Sequence, residues 1–149
     1  MSKRVLIGSF VGALVVGGAA AGFAVASSPT KPSLENSSAR YTAPSGDSAG
    51  SFSFTTDVSD DSGIQSLHVL PWPADSELDP TEKELRDAEE TATCRTTSDE
   101  TSRCTYALKV TEVEAAALEA GTWKVTALAT AKDGDTLFVP SAAAFEVER

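Results

Sequence analysis

The sequence has 149 residues, with 12 Lys and Arg against 22 Asp and Glu, and its formal net charge at pH 7 is −10. So acidic a chain repels phosphate backbones and anionic lipid, which disfavours nucleic-acid binding and peripheral membrane binding. The length suits one domain with a hydrophobic core and is short for two. Solubility alone also explains high acidity in an exported protein.

Residues 1–26 have the features of a Sec-type signal peptide. Lys3 and Arg4 form a cationic head, residues 5–26 carry no charge, and FAVA at residues 23–26 ends in the pattern that signal peptidase accepts. We therefore predict a secreted, extracellular protein with no stable membrane insertion once the peptide is cleaved, and association with the cell wall is compatible with that location. The alternative is an uncleaved anchor, since an uncharged run above about 18 residues can span a bilayer.

The rest of the chain divides into a predicted flexible tether at residues 27–33 and one domain at residues 34–149. Residues 34–41 predict a first edge strand with a poor pattern. Residues 51–58 place Phe52, Phe54 and Val58 on one face of a second strand. DDSG at residues 60–63 predicts a turn, after which a third strand covers residues 64–70.

The segment after the third strand predicts a helix. Proline has no N–H to donate, so PWP at residues 71–73 is predicted to end the strand. Asp79 as the cap, Pro80 at the first helical position and Glu82 in a capping box predict a helix that runs to about residue 90. Leu85 and Ala88 are its sparse apolar stripe, so the helix should lie on a surface.

The two cysteines, Cys94 and Cys104, flank the polar segment RTTSDETSR. Residues 91–96 and 102–110 read as paired strands with that segment as the hairpin tip. Export implies an oxidising setting, so we predict a disulfide rather than a metal site. A redox-active pair normally has two residues between its cysteines, which disfavours that alternative.

The C-terminal third continues the β pattern. Residues 112–119 predict a short helical or turn-like crossing. Residues 122–131 predict a strand with one buried face, which includes Trp123 and Val125, and one wet face, which includes Lys124 and Thr126. KDGD at residues 132–135 predicts a hairpin turn, and the last strand is predicted to break at Pro140. Six or seven short strands predict an all-β protein, an antiparallel β-sandwich with one short inserted helix.

Two segments resemble the bacterial immunoglobulin-like domains of exported proteins: VSDDSGI at residues 58–64 and AGTWKVTA at residues 120–127. The whole arrangement resembles a family of small exported proteins of high-GC Gram-positive bacteria, known only as a domain of unknown function. The resemblance implies an immunoglobulin-like fold and an exported location, and it offers no catalytic residues. Related domains often place Asp after the penultimate strand, where this chain has Ala131 and the acid is displaced to Asp133.

Residue types that carry catalysis are sparse. The one histidine, His68, is opposite in phase to Leu67 and Val69, and no Gly-x-Ser-x-Gly elbow surrounds any serine. The sequence has no His/Cys metal cluster and no Gly-rich phosphate loop. We therefore predict a non-enzymatic protein with no catalytic residues.

Four acidic residues form a candidate calcium site. In an immunoglobulin-like sandwich the loop between strands two and three and the loop between strands six and seven lie at the same end. These loops carry Asp60, Asp61, Asp133 and Asp135, and Ca²⁺ takes six to eight oxygen ligands. The alternative is that Asp occurs there because it favours turns. No other cofactor is predicted.

Trp72, between two prolines, is a candidate platform for a sugar ring or a partner's apolar patch. The alternative is that the following helix folds back and covers this face with Leu85 and Ala88.

The signal peptide, the predicted sandwich and the lack of catalytic residues favour a secreted immunoglobulin-like binding module whose partner is an extracellular protein or a cell-wall glycan. The alternative function is a structural or wall-associated protein without a dedicated ligand.

Overall fold

A computed structural model describes residues 31–148 of the chain. The predicted signal peptide and residues 27–30 of the predicted tether lie outside this range, and Ser33, the last tether residue, already begins the first strand. In chain order the elements are β1 (Ser33–Thr42), β2 (Gly50–Ser59), β3 (Ile64–Pro73), α1 (Glu82–Asp87), β4 (Thr93–Thr96), β5 (Thr101–Val110), α2 (Glu112–Ala117), β6 (Gly121–Ala131) and β7 (Thr136–Val147). Neither helix is long and apolar enough to cross a membrane.

The strands form two antiparallel sheets. The first has four strands in the order β1-β2-β5-β4, and the second has three in the order β3-β6-β7. This confirms the prediction of an all-β protein with two sheets. The prediction of one inserted helix is wrong, because α2 is a second one: Thr111 caps it and forms a capping box with Glu114.

The core lies between the two sheets. Alternate side chains of β2 and β5 meet those of β3, β6 and β7, and Phe54, Leu67 and Val125 are fully buried. The rings of Phe52 and Phe145 join the two sheets, with centroids 4.8 Å apart. The period-two pattern of the sequence therefore marks the inner walls of both sheets.

Thr56 is a polar exception on the inner face of β2. It is completely buried, and its hydroxyl donates to the carbonyl oxygen of Glu35 at 3.1 Å. That carbonyl lies at an irregularity of β1 between Glu35 and Ser38, where Asn36 has a φ of 54°. The poor sequence pattern of β1 follows from this bulge, which satisfies a buried hydroxyl that would otherwise destabilise the core.

β3 does not end before its prolines, as the sequence predicted, but continues to Pro73. It is an edge strand, so only one side of its backbone pairs with β6. The carbonyl of Leu67 accepts from the N–H of Ala92 and therefore faces away from β6. Pro71 and Pro73 have the same parity as Leu67, so their missing N–H groups remove no bond to β6.

α1 begins later and ends earlier than predicted. Its cap is Thr81, not Asp79, and the capping box is completed by Glu84, not Glu82. The helix ends at Asp87 instead of near residue 90. Leu85 is its one buried side chain, and α1 contacts the outer face of the second sheet through β3 and β6.

The prediction that one face of β6 is exposed to solvent is wrong. Val125, Thr126, Ala127, Leu128 and Ala129 are all fully buried, so both faces of the central strand are covered. The inner face packs in the core, and the outer face is contacted by α1 and by the indole of Trp72, which bonds to Thr126. β7 is one strand rather than two, and the predicted break appears as a register irregularity opposite Thr126.

Gly50 is required where the chain re-enters the first sheet. A Cβ added there would collide with the carbonyl oxygen of Thr42 and lie 2.7 Å from the backbone nitrogen of Pro44. We expect Gly50→Ala to lower the free energy of unfolding by about 1–3 kcal/mol, the range for overpacking a rigid site. Urea unfolding measures this, with the exposed neighbour Ser51→Ala as control. Equal midpoints for the two variants would contradict the prediction.

Candidate functional site

Trp72 lies on the outer face of β3 and is half-buried. Its indole N–H donates to the hydroxyl of Thr126 at 2.8 Å, and that hydroxyl donates in turn to the carbonyl of Pro140 at 2.7 Å. Thr126 is fully buried. The chain of bonds links β3, β6 and β7, so the ring is held in one orientation.

Lys124 is the cross-strand partner of Trp72, and its Nζ lies 5.4 Å from the centroid of the indole ring. This distance is within the range of a cation–π contact. Trp72 is therefore not a fully exposed platform, and the helix is not its only cover, because the Lys124 ammonium and the buried Thr126 hydroxyl both contact it.

A groove of about 430 Å³ passes beside Trp72. Its walls come from the end of β3, the segment before α1, the first turn of α1 and the start of β6; the lining residues are Leu70, Pro71, Trp72, Pro73, Leu78, Asp79, Pro80, Glu84 and Trp123. Leu78 is 58 % exposed, which is unusual for a large apolar side chain beside two tryptophans. The groove has an apolar floor with two carboxylates among its lining groups.

Trp123 joins this groove to the core. It packs against Phe145 with centroids 6.0 Å apart, and its indole N–H donates to the carbonyl of Glu119 at 2.8 Å. Sequence reasoning placed Trp123 in the core only and did not include Leu78 or Pro80 in a site. Their approach to Trp72 depends on the register that pairs Pro73 with Trp123, which no local pattern encodes.

The acidic loops meet at one end of the molecule. Oxygens from the carboxylates of Asp60, Asp61 and Asp133 lie within 4.8 Å of one another. Asp135 is not in this group, but its N–H donates to Oδ1 of Asp133 at 3.0 Å. The two loops are joined directly, because Lys132 N–H donates to the carbonyl of Gly63 at 3.0 Å.

A comparison with models of known protein families identifies the family of the chain. The family described as "Family of unknown function (DUF5707)" matches residues 34–129. The chain belongs to this family. The prediction of a domain family of unknown function is thereby confirmed. No curated protein matches the chain, and no solved structure matches it either.

The segment matched to DUF5707 contains most of the groove's surroundings. It includes β1 from Leu34 onward, β2 to β5, both helices and β6 as far as Ala129, and with them the whole lining of the groove. The disulfide, Asp60 and Asp61 are also inside it. The turn that carries Asp133 lies beyond the end of the match. The acidic cluster therefore contains two residues inside the matched segment and one outside it.

The DUF5707 segment also contains the disulfide that the sequence predicted. Cys94 and Cys104 are bonded and directly opposite each other on β4 and β5, and the polar segment between them is the hairpin tip. Cys104 is fully buried and Cys94 half-buried. The bond therefore ties an edge strand of four residues to the core strand beside it.

His68 lies on β3 between the groove and the cysteine hairpin. It is half-buried and forms an isolated bridge with Thr91. Within residues 31–148 its Nδ1 is buried and has no hydrogen-bond partner.

Two ionisable pairs fix the first sheet. Arg103 donates to both oxygens of Asp57, at 2.9 and 3.1 Å, and Asn36 donates to one of them at 3.0 Å. The bonds from Arg103 first, and from Asn36 second, lower the pKa of Asp57. The stability they contribute is present above the ordinary carboxyl pKa and is lost as the pH falls through the lowered value.

The second pair joins Tyr106 and Glu90. The Tyr106 hydroxyl donates to the Glu90 carboxylate. Burial raises the pKa of Tyr106 most, and the bond to Glu90 raises it further. Tyr106 therefore stays a neutral donor at physiological pH and ties the segment after α1 to the first sheet.

Proposed function

We propose that the chain is a secreted, non-enzymatic binding module with an immunoglobulin-like fold of the constant type. Constant-type domains have four strands in the order ABED on one sheet and three in the order CFG on the other. Lettered in chain order, the strands here follow A-B-E-D and C-F-G. Secretion is supported by the charge and hydropathy pattern of residues 1–26 and by a disulfide in a short chain.

The groove beside Trp72 is the proposed ligand site, and a neutral cell-wall glycan is the proposed ligand. The observation that carries this is the exposure of Leu78 beside two half-buried tryptophans. Sugar rings have apolar faces that pack on aromatic and aliphatic side chains, while carboxylates such as Asp79 accept bonds from hydroxyl groups. The strong negative charge of the chain disfavours an anionic polymer.

An extracellular protein is the second candidate partner. Apolar side chains beside tryptophan are also typical of protein-binding hot spots. The prolines at positions 71 and 73 disfavour one mode, the addition of a partner strand along the edge of β3, because they supply no N–H groups. A partner protein would therefore bind through side chains in the groove.

A structural protein without a dedicated ligand is the alternative. It is supported by the bond from Trp72 to the buried Thr126, since this bond gives the indole a role in folding. The two functions make different predictions for Leu78: its exposed side chain contacts the ligand in a binding module and has no such role in a structural protein.

The test compares Leu78→Ser with Val113→Ser. Val113 is also an exposed aliphatic residue, 82 % exposed, but it lies on α2 and outside the groove. We expect Leu78→Ser to weaken retention on an insoluble neutral cell-wall glycan about tenfold, which corresponds to about 1.4 kcal/mol of binding free energy. Val113→Ser should bind like the natural chain. Circular dichroism checks that both variants fold.

Three results would count against the glycan. Capture of a soluble culture protein, lost in Leu78→Ser alone, would favour the protein partner. Retention that is equal in both variants would move the ligand away from the groove. No retention of the natural chain on the neutral glycan or on culture proteins would favour the structural alternative.

A further inference from the structure

We propose that the loop between β2 and β3 and the loop between β6 and β7 together bind a calcium ion through Asp60, Asp61 and Asp133. The carboxylate oxygens of these residues lie within 4.8 Å of one another. Ca²⁺ binds oxygens at about 2.3–2.6 Å, so its opposite ligands are separated by roughly 4.6–5.2 Å. Three oxygens at such separations are close enough to coordinate one ion.

A buried oxygen of Asp60 points to a ligand independently of the clustering. Asp60 is only 4 % exposed. Its Oδ1 accepts from the backbone N–H and the hydroxyl of Ser62, at 2.8 and 2.6 Å. Its Oδ2 is buried and has no hydrogen-bond partner within residues 31–148. A buried carboxylate oxygen without a donor is costly, and a cation would satisfy it.

The three carboxylates of the cluster form no ion pair within residues 31–148. The ion pairs found within residues 31–148 join other residues, and none includes Asp60, Asp61 or Asp133. Lys132 is the nearest cation in sequence, and its side chain packs over Gly63 instead, where its Nζ would lie 3.4 Å from an added Cβ. Close carboxylates repel one another, and a divalent cation removes that repulsion.

The two loops are already held in place for this role. The N–H of Asp133 donates to the hydroxyl of Ser62 at 3.2 Å, and that hydroxyl donates to Asp60. β2 belongs to one sheet and β6 to the other, so an ion here would join the two sheets at their end. Three protein carboxylates with water completing the shell resemble the weaker extracellular calcium sites, with Kd of about 10⁻⁴–10⁻³ M. This site is distinct from the groove at Trp72.

Thermal unfolding of the purified full chain with CaCl₂ alone tests the site. After removal of metal with a chelator, we expect about 10 mM Ca²⁺ to raise the Tm by about 5 °C, with a saturating dependence on concentration. Asp61→Asn should weaken the calcium affinity about tenfold, because it removes one ligand charge. Asp61 is exposed and its side chain forms no hydrogen bond within residues 31–148, so this variant should fold normally. Asp133→Asn is a second variant.

Asp47→Asn is the matched control, since it removes one exposed charge from the loop between β1 and β2. It should keep the natural calcium response. A Tm that does not rise with Ca²⁺ would overturn the proposal. So would an equal response in Asp61→Asn, Asp133→Asn and Asp47→Asn, because that would mean general charge screening. Isothermal calorimetry on the same proteins should give one ion per chain.

Discussion

Leu85→Ala is expected to lower the free energy of unfolding by about 2–5 kcal/mol, the range for truncating a fully buried leucine. Leu85 is completely buried and is the one buried residue of α1. A helix of six residues has almost no stability of its own, so its position depends on that side chain. The substitution should therefore release α1 from the outer face of the second sheet.

The release should also be visible in the groove. Glu84 lines it from α1, and Trp72 lines it from β3. We expect the tryptophan fluorescence of folded Leu85→Ala to become more accessible to acrylamide than that of the natural chain. Urea unfolding followed by circular dichroism measures the loss of stability.

Lys83→Ala is the control on the same helix. Lys83 is 85 % exposed and pairs with Asp87, and an ion pair this exposed contributes little to stability because water screens it. If Leu85→Ala cost no more than this control, α1 would not be anchored by Leu85, and the covered outer face of β6 would need another explanation.

The strands that alternate cleanly were predictable because their pattern has a direct physical cause. Phe52, Phe54 and Val58 alternate because one face of β2 is the core. The cysteine hairpin was predictable for a similar reason, since a polar segment between two cysteines fits a turn. The start of α1 was not, because two capping signals overlap there. Thr81 with Glu84 satisfies two N–H groups reciprocally, and this box is the one that forms.

The errors in β3 and β6 share one cause, the dependence of a local pattern on distant neighbours. The prolines of β3 are compatible with a strand only because β3 lies at an edge, and strand order is not a local property. Thr126 was predicted to face water because threonine is polar. It is buried because Trp72 and Pro140 bond to it, from positions 54 and 14 residues away in the chain. The groove depends on the same long-range register.

Replacing both cysteines, Cys94→Ala with Cys104→Ala, is expected to lower the free energy of unfolding by about 3 kcal/mol. The chain-entropy model assigns roughly this value to a bond that closes so short a loop. The physical reason is local as well: β4 pairs with β5 through only four residue pairs. Urea unfolding of the double variant and of the chemically reduced natural chain should give the same loss.

The position of β4 allows hydrogen exchange to test whether the disulfide also holds the hairpin against β3. The N–H of Ala92, just before β4, donates to Leu67 of β3 at 2.8 Å, so this segment bridges from one sheet to the other. Without the disulfide, hydrogen exchange at Ala92 should accelerate more than exchange at Phe54, which is deep in the core on β2. Equal acceleration at both would mean that the bond acts only on the unfolded chain and does not hold the hairpin against β3. Free thiols in the folded natural chain would contradict the bond itself.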